Sequence, residues 1–501
     1  MVNLGGRRSA PPRASAMAES LRGLGYSTPT ALADIIDNSI SARASYIDIA
    51  FKWNDGDPYI YILDNGRGMT DAELENAMQF GAKSPLEKRD ADDLGRFGLG
   101  LKTASFSQGR RLTVSSRAAN CENACLRWDL DLLSCPGGDG WHLYEGPDPA
   151  SMDRLSPLSG MEHGTLVLWE KLDRITGRDF SKQNYLDLQD EVECHLAMTF
   201  QRLIDDGLEI CLNGIAIKSW DPFMAGNPAR AWDSGEIRLG DHGEVRVQCH
   251  VLPHKDMLKP KEADLAGGPH GWVMQQGFYI YRNKRLLVGG GWMGLEQNHR
   301  ALTRDEAHRL ARIRLDIPNW ADAEWKIDIR KSSARAPVRF RKQLLTLAKQ
   351  TREKARKVFA HRGQWSPTLN VRSVDEAWIA EKSGGATRYK ISREHEVIKS
   401  LLDRAGPLKK EMLLVLRIVE ETVPVQRIWL DTAEDREAPR NGLADAPTTE
   451  VLNLMNIVYA NLIEHRRLSA DEARAQLLLT APFDRFPELV AKLPIAFQEK
   501  V

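Results

Sequence analysis

Two polar residues in the first tenth of the chain have types and spacing that suit metal-assisted hydrolysis. Asp34 and Asn38 lie four residues apart in ADIIDN, and residues at this spacing share one face of a helix. The amide oxygen of Asn38 could bind Mg²⁺, and Asp34 could orient or deprotonate an attacking water. An acidic residue four positions before an asparagine is also common on solvated helix faces, so this pair alone decides nothing.

A second group, DNGRGM at residues 64–69, directly follows the apolar stretch YIYIL. A carboxylate held at the end of a strand, here Asp64, can accept a hydrogen bond from an exocyclic amine such as adenine N6. Gly66 and Gly68 would let the backbone approach a flat base closely. An ordinary Asp-Asn-Gly turn explains the same residues.

A third group, GRFGLGLK at residues 95–102, has the composition of a phosphate-binding loop. Gly95, Gly98 and Gly100 permit a nest of backbone N–H groups before a helix, and Lys102 could add positive charge. The group lacks the G-x-x-x-x-G-K-[ST] pattern of a P-loop. It also lacks the preceding strand that a dinucleotide-binding turn requires.

The elements that must hold these groups are visible as hydrophobic periodicity. TPTALADIIDNSISAR at 28–43 predicts a helix with one buried face. Two alternating stretches, SYIDIAFKW and PYIYILD, predict strands joined by the turn NDGD. An acidic helix over 71–80, a helix from Leu101 and a strand over 163–172 complete this region.

From about residue 173 the pattern changes. A helix, several strands and a long helix over 338–360 predict a second α+β domain, and the remainder is mostly helical. We therefore predict an α+β protein. Its segments are a disordered tail at 1–20, a first domain at 21–172, a second at 173–362 and a mostly helical domain at 363–501.

The order of the three groups resembles the GHKL ATPases, the superfamily of the gyrase B subunit, MutL, the heat-shock chaperone ATPases, histidine kinases and MORC proteins. ADIIDN followed by GRFGLGLKTAS is similar to MORC proteins and their bacterial relatives, over about residues 28–172. The resemblance implies an α/β-sandwich ATPase domain that binds ATP and Mg²⁺, then a transducer-like domain at 173–362.

The resemblance also assigns roles to residues of this chain. Asp34 takes the place of the catalytic base, and Asn38 matches the Mg²⁺ ligand. The matching nucleotide-binding positions are Asp64, Gly66, Gly68 and Met69 at the base, Gly95, Gly98, Leu99, Gly100 and Lys102 at the lid and phosphate loop, and Thr165 in support of Asp64. The segment 81–101 would then be the lid that closes over ATP.

The chain departs from the family pattern at Asp34, where the family usually has glutamate. Aspartate is one methylene shorter, which shortens its reach to the attacking water. We therefore expect slow ATP hydrolysis with Asp34 as the base, and Asp37 could share its importance.

A lysine of the second domain completes the site that the resemblance implies. Lys331, in WKIDIRKS, matches the lysine that the transducer of several branches supplies to the γ-phosphate. A surface lysine near the end of a strand is an equally good interpretation.

A run of positive charge follows that lysine. Residues 330–362 contain twelve Lys or Arg and one acidic residue, Glu353, in a chain of zero net charge. We interpret the run as a surface that contacts DNA through phosphates, although most such runs are solvated helix faces. YRNKR at 281–285 could extend it, or could be the tip of a hairpin.

These features favour an ATP-gated dimeric clamp on DNA, in repair or in defence against foreign DNA, with nuclease or helicase partners. A chaperone-like ATPase with protein clients and a non-hydrolysing ATP-sensing dimer are the alternatives. A histidine kinase is disfavoured because only about 27 residues precede the first group and none is histidine.

The composition of the chain indicates in which compartment the protein is located. The six cysteines are too few for a disulfide framework, and Cys121, Cys125 and Cys135 lack the paired CxxC elements of a zinc site. No apolar run is long enough to cross a bilayer, and the N-terminus lacks the apolar core of a signal peptide. We expect a cytoplasmic protein with no membrane partner.

Overall fold

The computed structural model describes twelve stretches of the chain. They are residues 13–81, 100–133, 140–177, 180–297, 299–328, 331, 333–360, 377–383, 386–428, 448–464, 466–480 and 483–494. The chain divides into two compact units, Met1–Leu369 and Asn370–Val501. Among the helices in these stretches, none combines the length and the apolar character that crossing a bilayer would need.

Within the described stretches, eight strands form the first sheet. They are β1 (Tyr46–Lys52), β2 (Tyr59–Asp64), β3 (Arg111–Arg117), β4 (Ala124–Asp129), β5 (Tyr144–Glu145), β6 (Gly164–Glu170), β7 (Glu209–Leu212) and β8 (Ile215–Ala216). Their order is β5-β4-β3-β6-β2-β1-β7-β8. The β1–β7 pairing is parallel and the other pairings are antiparallel.

Among the described helices of this domain, one short helix lies on one face of the sheet and the others lie on the opposite face. The helices are α1 (Ala14–Arg22), α2 (Thr28–Ser41), α3 (Asp71–Met78), α4 (Gly100–Phe106), α5 (Leu130–Leu133), α6 (Ser156–Ser159), α7 (Lys182–Thr199) and α8 (Gln201–Asp205). The largest core joins Ile35 and Ile36 of α2 to Ile47 and Ile49 of β1, as the alternation of β1 predicts. A smaller cluster around Leu158 of α6 lies against Leu63, Leu166 and Leu168.

The first sheet extends beyond the domain boundary predicted at residue 172. α7 crosses over so that β7 can pair in parallel with β1. Val192, Leu196 and Ile217 belong to the same core as α2, so the first domain continues to about Ile217.

A second sheet follows in the same unit. Its strands are β9 (Trp232–Asp233), β10 (Ile237–Leu239), β11 (Val245–Val251), β12 (Gly277–Arg282), β13 (Arg285–Gly289) and, later in the chain, β16 (Ala311–Asp316). The order is β10-β11-β16-β12-β13, with β9 beside β11. The short helices α9 (Pro260–Gly267) and α10 (Gly271–Met274) precede β12, and a small hairpin of β14 (Glu296–Gln297) and β15 (Arg300–Ala301) precedes β16.

The long helix α11 (Val338–Ala360) packs on the second sheet. Its buried residues recur every three or four positions, which is the spacing of one helix face. They are Phe340, Leu344, Ala348, Thr351, Ala355 and Val358. The α+β fold class predicted from the sequence is confirmed.

The second unit contains a hairpin and helices, in agreement with the mostly helical prediction. The hairpin is β17 (Trp378–Ser383) with β18 (Ala386–Ile391), and the helices are α12 (Glu396–Arg404), α13 (Lys409–Glu421), α14 (Thr448–Glu464), α15 (Ala470–Leu477) and α16 (Pro487–Val490). Its core forms around Met455 and Tyr459 of α14 and Leu477 of α15.

Candidate functional site

Helix α2 carries three of the polar residues singled out by the sequence. Its N-cap is Ser27, and proline in its first turn suits a helix start because the missing N–H has no intrahelical partner there. Asp34 and Asp37 are buried with 7% and 1% exposure, whereas Asn38 is exposed. Buried carboxylates are tolerated only with hydrogen-bond or charge partners, so the partners of these two define the site.

Asp34 has a different partner on each carboxylate oxygen. The hydroxyl of Tyr26 donates to Oδ2 at 2.8 Å, and Nζ of Lys331 donates to Oδ1 at 2.9 Å. The Nη2 atom of Arg285 lies 3.9 Å from the same Oδ1. One carboxylate of the first domain is therefore held between a tyrosine and two cations.

Asp37 binds the same two cations. Nε of Arg285 lies 2.9 Å and 3.0 Å from its two carboxylate oxygens, and Lys331 also contacts Oδ2. Burial alone would raise the pKa of Asp37, but the charges of Arg285 and Lys331 outweigh burial and hold the pKa below its ordinary value. Asp37 is therefore a firmly ionised anchor for both cations.

Both cations come from the second domain. Arg285 is the first residue of β13, and Lys331 lies between β16 and α11. We predicted Lys331 at this site from the sequence, but not Arg285. Arg285 belongs to the segment 281–285, which we interpreted as a possible extension of the DNA surface. That extension is wrong, since Arg282 and Arg285 are buried and the segment is the hairpin turn between β12 and β13.

Asp64 lies at the end of β2, opposite Thr165 of β6. Ser39 Oγ donates to its Oδ2 at 2.8 Å, and the backbone N–H of Gly66 donates to its Oδ1 at 2.9 Å. Burial raises the pKa of Asp64 above its ordinary value, although these hydrogen bonds oppose the rise. The hydroxyls of Thr165 and Ser116 lie 2.8 Å apart next to this carboxylate.

The turn after Asp64 needs its glycines for reasons of space. Gly68 has φ +67°, and a Cβ there would lie 1.8 Å from the carbonyl oxygen of Arg117. A Cβ at Gly66 would lie 2.9 Å from Ala42 Cβ. The N–H of Met69 donates to Ser116 Oγ at 2.9 Å, so the turn is fixed against β3.

The start of α4 lies beside the α2 carboxylates. Gly100 is the first residue of α4, and a Cβ there would lie 3.8 Å from Asp34 Oδ2. Gly95, Gly98 and Leu99, with most of the lid predicted at 81–101, lie outside the described residues.

The ammonium group of Lys102 contacts the end of α3. Its Nζ donates to the carbonyl oxygens of Ala77 at 2.8 Å and Gln79 at 2.9 Å, at the end of α3. Burial lowers the pKa of Lys102 to about 8. In this arrangement the side-chain nitrogen of Lys102 donates hydrogen bonds to two backbone carbonyl oxygens. Its predicted phosphate contact stays a prediction.

Asn38 is the candidate Mg²⁺ ligand, and its surroundings fit an ion that is held by few protein atoms. Its exposed carboxamide lies one helical turn from Asp34. Across the described part of the chain, no three His, Cys, Asp or Glu side chains form a metal-binding group. Mg²⁺ often takes only one or two protein oxygens and completes its shell with water and phosphate oxygens, so Asn38 alone is compatible with it.

Residues 26–165 match the family model of histidine kinase-, DNA gyrase B- and HSP90-like ATPases. The chain is 34% identical over 123 residues to the DNA mismatch repair protein MutL of Rhodospirillum rubrum. It is 39% identical over 93 residues to the ATPase MORC2B of Mus musculus, and 32% over 111 residues to Protein MICRORCHIDIA 4 of Arabidopsis thaliana.

These similarities concern one domain. The aligned segments cover 24%, 18% and 21% of this chain, and only 18%, 9% and 13% of the respective relatives. The matched segment nevertheless contains α2, the turn after β2 and the start of α4, which surround the buried carboxylates. Residues 26–165 are therefore GHKL-type ATPase sequence, and within this region the chain is similar to MutL and MORC ATPases.

Proposed function

We propose that the chain binds ATP with Mg²⁺ and hydrolyses it slowly, as an ATP-gated dimeric clamp on DNA. The observation that carries the proposal is the contact of Lys331, from the second domain, with Asp34 at 2.9 Å. A cation and a buried carboxylate from two domains thus lie side by side, and hydrolysis would need such a pair at the γ-phosphate and its attacking water.

Asp64 would read the adenine base. Its carboxylate would accept a hydrogen bond from the N6 amine, while Ser39 and the Gly66 N–H hold it in place. Gly66, Gly68 and Met69 would line the base pocket, and Thr165 would support Asp64. Gly95, Gly98, Leu99 and Gly100 would surround the phosphates. These roles are supported by the family resemblance and, for the described residues, by their closeness to Asp64 or Asp34.

Asp34 would act as the base in hydrolysis. It would take a proton from a water whose oxygen forms a bond to the γ-phosphorus, while the bond between that phosphorus and the bridging oxygen breaks and ADP leaves. Lys331 would move from the two carboxylates to the γ-phosphate, which frees an oxygen of Asp34. Mg²⁺ bound at Asn38 would neutralise charge on the phosphates.

Asp64→Asn is expected to weaken ATP binding by about tenfold, because a charge-assisted hydrogen bond to the base is lost. Since the pKa of Asp64 is raised, wild-type affinity should fall on acidification at a pH above the ordinary titration range of aspartate. Calorimetric titration with ATP across pH checks both effects. Glu75→Gln, at an exposed position on α3, is the control. Unchanged affinity in Asp64→Asn would remove its role in base recognition.

The outer face of α11 is the proposed DNA contact. Lys342, Lys349 and Arg356 are exposed and seven residues apart, so they form one stripe about 21 Å long. None of the three makes an ion pair with another described residue, whereas Arg339 is bound to Glu324 and Glu244. Cations that form no ion pair with the described residues remain available to bind phosphates.

Changing the three stripe residues to glutamine should weaken binding of duplex DNA. The plot of log affinity against log salt has a negative slope, and the magnitude of this slope should decrease by about three, because each phosphate contact contributes about 0.9. Fluorescence anisotropy with labelled duplexes measures this. Lys218→Gln/Lys284→Gln, at exposed positions outside α11, is the control. Absence of DNA binding by the wild-type chain at low salt would refute the clamp on DNA.

The biological setting remains part of the proposal. The MutL relative is described as a DNA mismatch repair protein, which supports a role near DNA. We place this chain in repair or in defence against foreign DNA in the cytoplasm, as a homodimer with nuclease or helicase partners. Dimerisation measured with and without ATP and DNA tests this arrangement.

A further inference from the structure

Tyr26 contacts the proposed base from outside the motifs. It precedes the N-cap of α2, is 8% exposed, and belongs to the same core as the apolar face of that helix. Its hydroxyl donates to Asp34 Oδ2 at 2.8 Å. The Thr103 side chain of α4 hydrogen-bonds to Tyr26 in turn. The ring is thus held by packing and its hydroxyl by groups on two helices.

Tyr26 contacts the carboxylate oxygen of Asp34 that lies nearer the start of α4. Oδ1 of Asp34 is occupied by Lys331, whereas a Cβ at Gly100, where α4 begins, would lie 3.8 Å from Oδ2. If Lys331 moves to the γ-phosphate, Tyr26 keeps its hydrogen bond to the carboxylate. Arg285 stays nearby at 3.9 Å from Oδ1, too far for a hydrogen bond.

The hydroxyl stays a donor throughout the physiological pH range. Burial raises the pKa of Tyr26 well above its ordinary value, and the negative charge of Asp34 raises it further. A neutral phenol beside an aspartate can donate to it but cannot compete for the proton of the attacking water. Its hydrogen bond therefore restrains the orientation of the Asp34 carboxylate without adding a competing base.

We propose that Tyr26 is a positioning residue that fixes the carboxylate of Asp34 for water activation and so compensates for the short side chain of this base. The inference depends on the proposed hydrolysis by Asp34. A well-oriented base matters because small displacements of a reacting group reduce rates strongly. A glutamate at position 34 would extend one bond further and would reach past the hydroxyl, so it would need Tyr26 less.

The test compares Tyr26→Phe in two backgrounds, wild type and Asp34→Glu. In the wild type, Tyr26→Phe should lower kcat about tenfold and leave the Kd for ATP unchanged, which separates orientation from binding. In Asp34→Glu, the same change should alter kcat less than about twofold. The matched control is Tyr185→Phe, which removes a buried hydroxyl that donates to the carbonyl oxygen of Tyr59 at 3.0 Å in the first core. It should keep wild-type kcat.

Two results would overturn the inference while the proposed function stands. They are a wild-type kcat in Tyr26→Phe, and an equal loss of kcat in both backgrounds, which would indicate a general structural role. A wild-type chain that binds ATP without any turnover would instead refute the proposed hydrolysis, and this inference with it. Thermal unfolding of each variant, compared with Tyr185→Phe, shows whether the fold is retained.

Discussion

Asp34→Asn is expected to lower ATP hydrolysis at least about 100-fold while ATP still binds, because an amide cannot accept the proton of the attacking water. The change preserves shape, and the amide oxygen can still accept from Lys331 at the position of Oδ1. The amide NH2 then takes the place of Oδ2, where the Tyr26 hydroxyl can accept from it. Lys331 also keeps Asp37 as a partner. The expected defect is therefore chemical, not structural.

The measurement is single-turnover hydrolysis together with ATP affinity and oligomeric state. If ATP closes a dimer and hydrolysis opens it, Asp34→Asn should accumulate an ATP-bound dimer that light scattering can detect. Asp34→Glu is the matched comparison, because it restores an acid at this position and should retain turnover. Wild-type turnover in Asp34→Asn, with ATP bound, would show that another group activates the water.

Local sequence was sufficient to predict the residues that α2 and the β2 turn present to the site. Asp34 and Asn38 lie on a helix because apolar residues at helical spacing surround them, and Asp64 ends a strand whose alternation is plain. The glycines at 66 and 68 are required by close backbone approaches, so their presence already indicated a packed turn. Short-range physics determines all of these features.

Long-range partners were not predictable in the same way. Arg285 is 248 residues from Asp37, and nothing around YRNKR distinguishes a buried cation from a solvated one. Tyr26 lies eight residues before Asp34, but its direction depends on the packing of α4. The contacts of Lys102 with two carbonyl oxygens at the end of α3 were likewise not visible in its neighbours, which suggested only a phosphate contact.

The boundary between the first and second domains could not be predicted from local sequence patterns either. The stretch that follows residue 172 has helix and strand patterns that fit either domain. Parallel pairing of β7 with β1 assigns it to the first sheet, because a crossover helix can return the chain to that edge. The three aligned relatives could not have resolved this, since their matches cover at most 24% of the chain.

Arg285→Met should destabilise the first unit by about 3 kcal/mol at neutral pH, because removing one partner of a buried ion pair leaves the other charge poorly compensated. The side chains of Arg285 and Asp37 are 4% and 2% exposed. Lys331 would remain on Asp37, but it must then serve two carboxylates. Urea unfolding gives the free energy, and Arg339→Met, which breaks an exposed cluster of pairs, should have a much smaller effect.

The double variant Arg285→Met/Asp37→Asn and the pH dependence together identify the ion pair as the cause. Neutralising Asp37 should recover part of the lost stability, since the charge that Arg285 compensated is gone. The folded pKa of Asp37 is lowered, so the pair stabilises the fold above the unfolded pKa of aspartate, about 3.9, and this stabilisation is lost as the pH falls through the folded value. The difference between wild type and Arg285→Met should therefore shrink in acid. A difference that persists unchanged there, or no recovery in the double variant, would mean that Arg285 stabilises the domain contact through packing instead of charge.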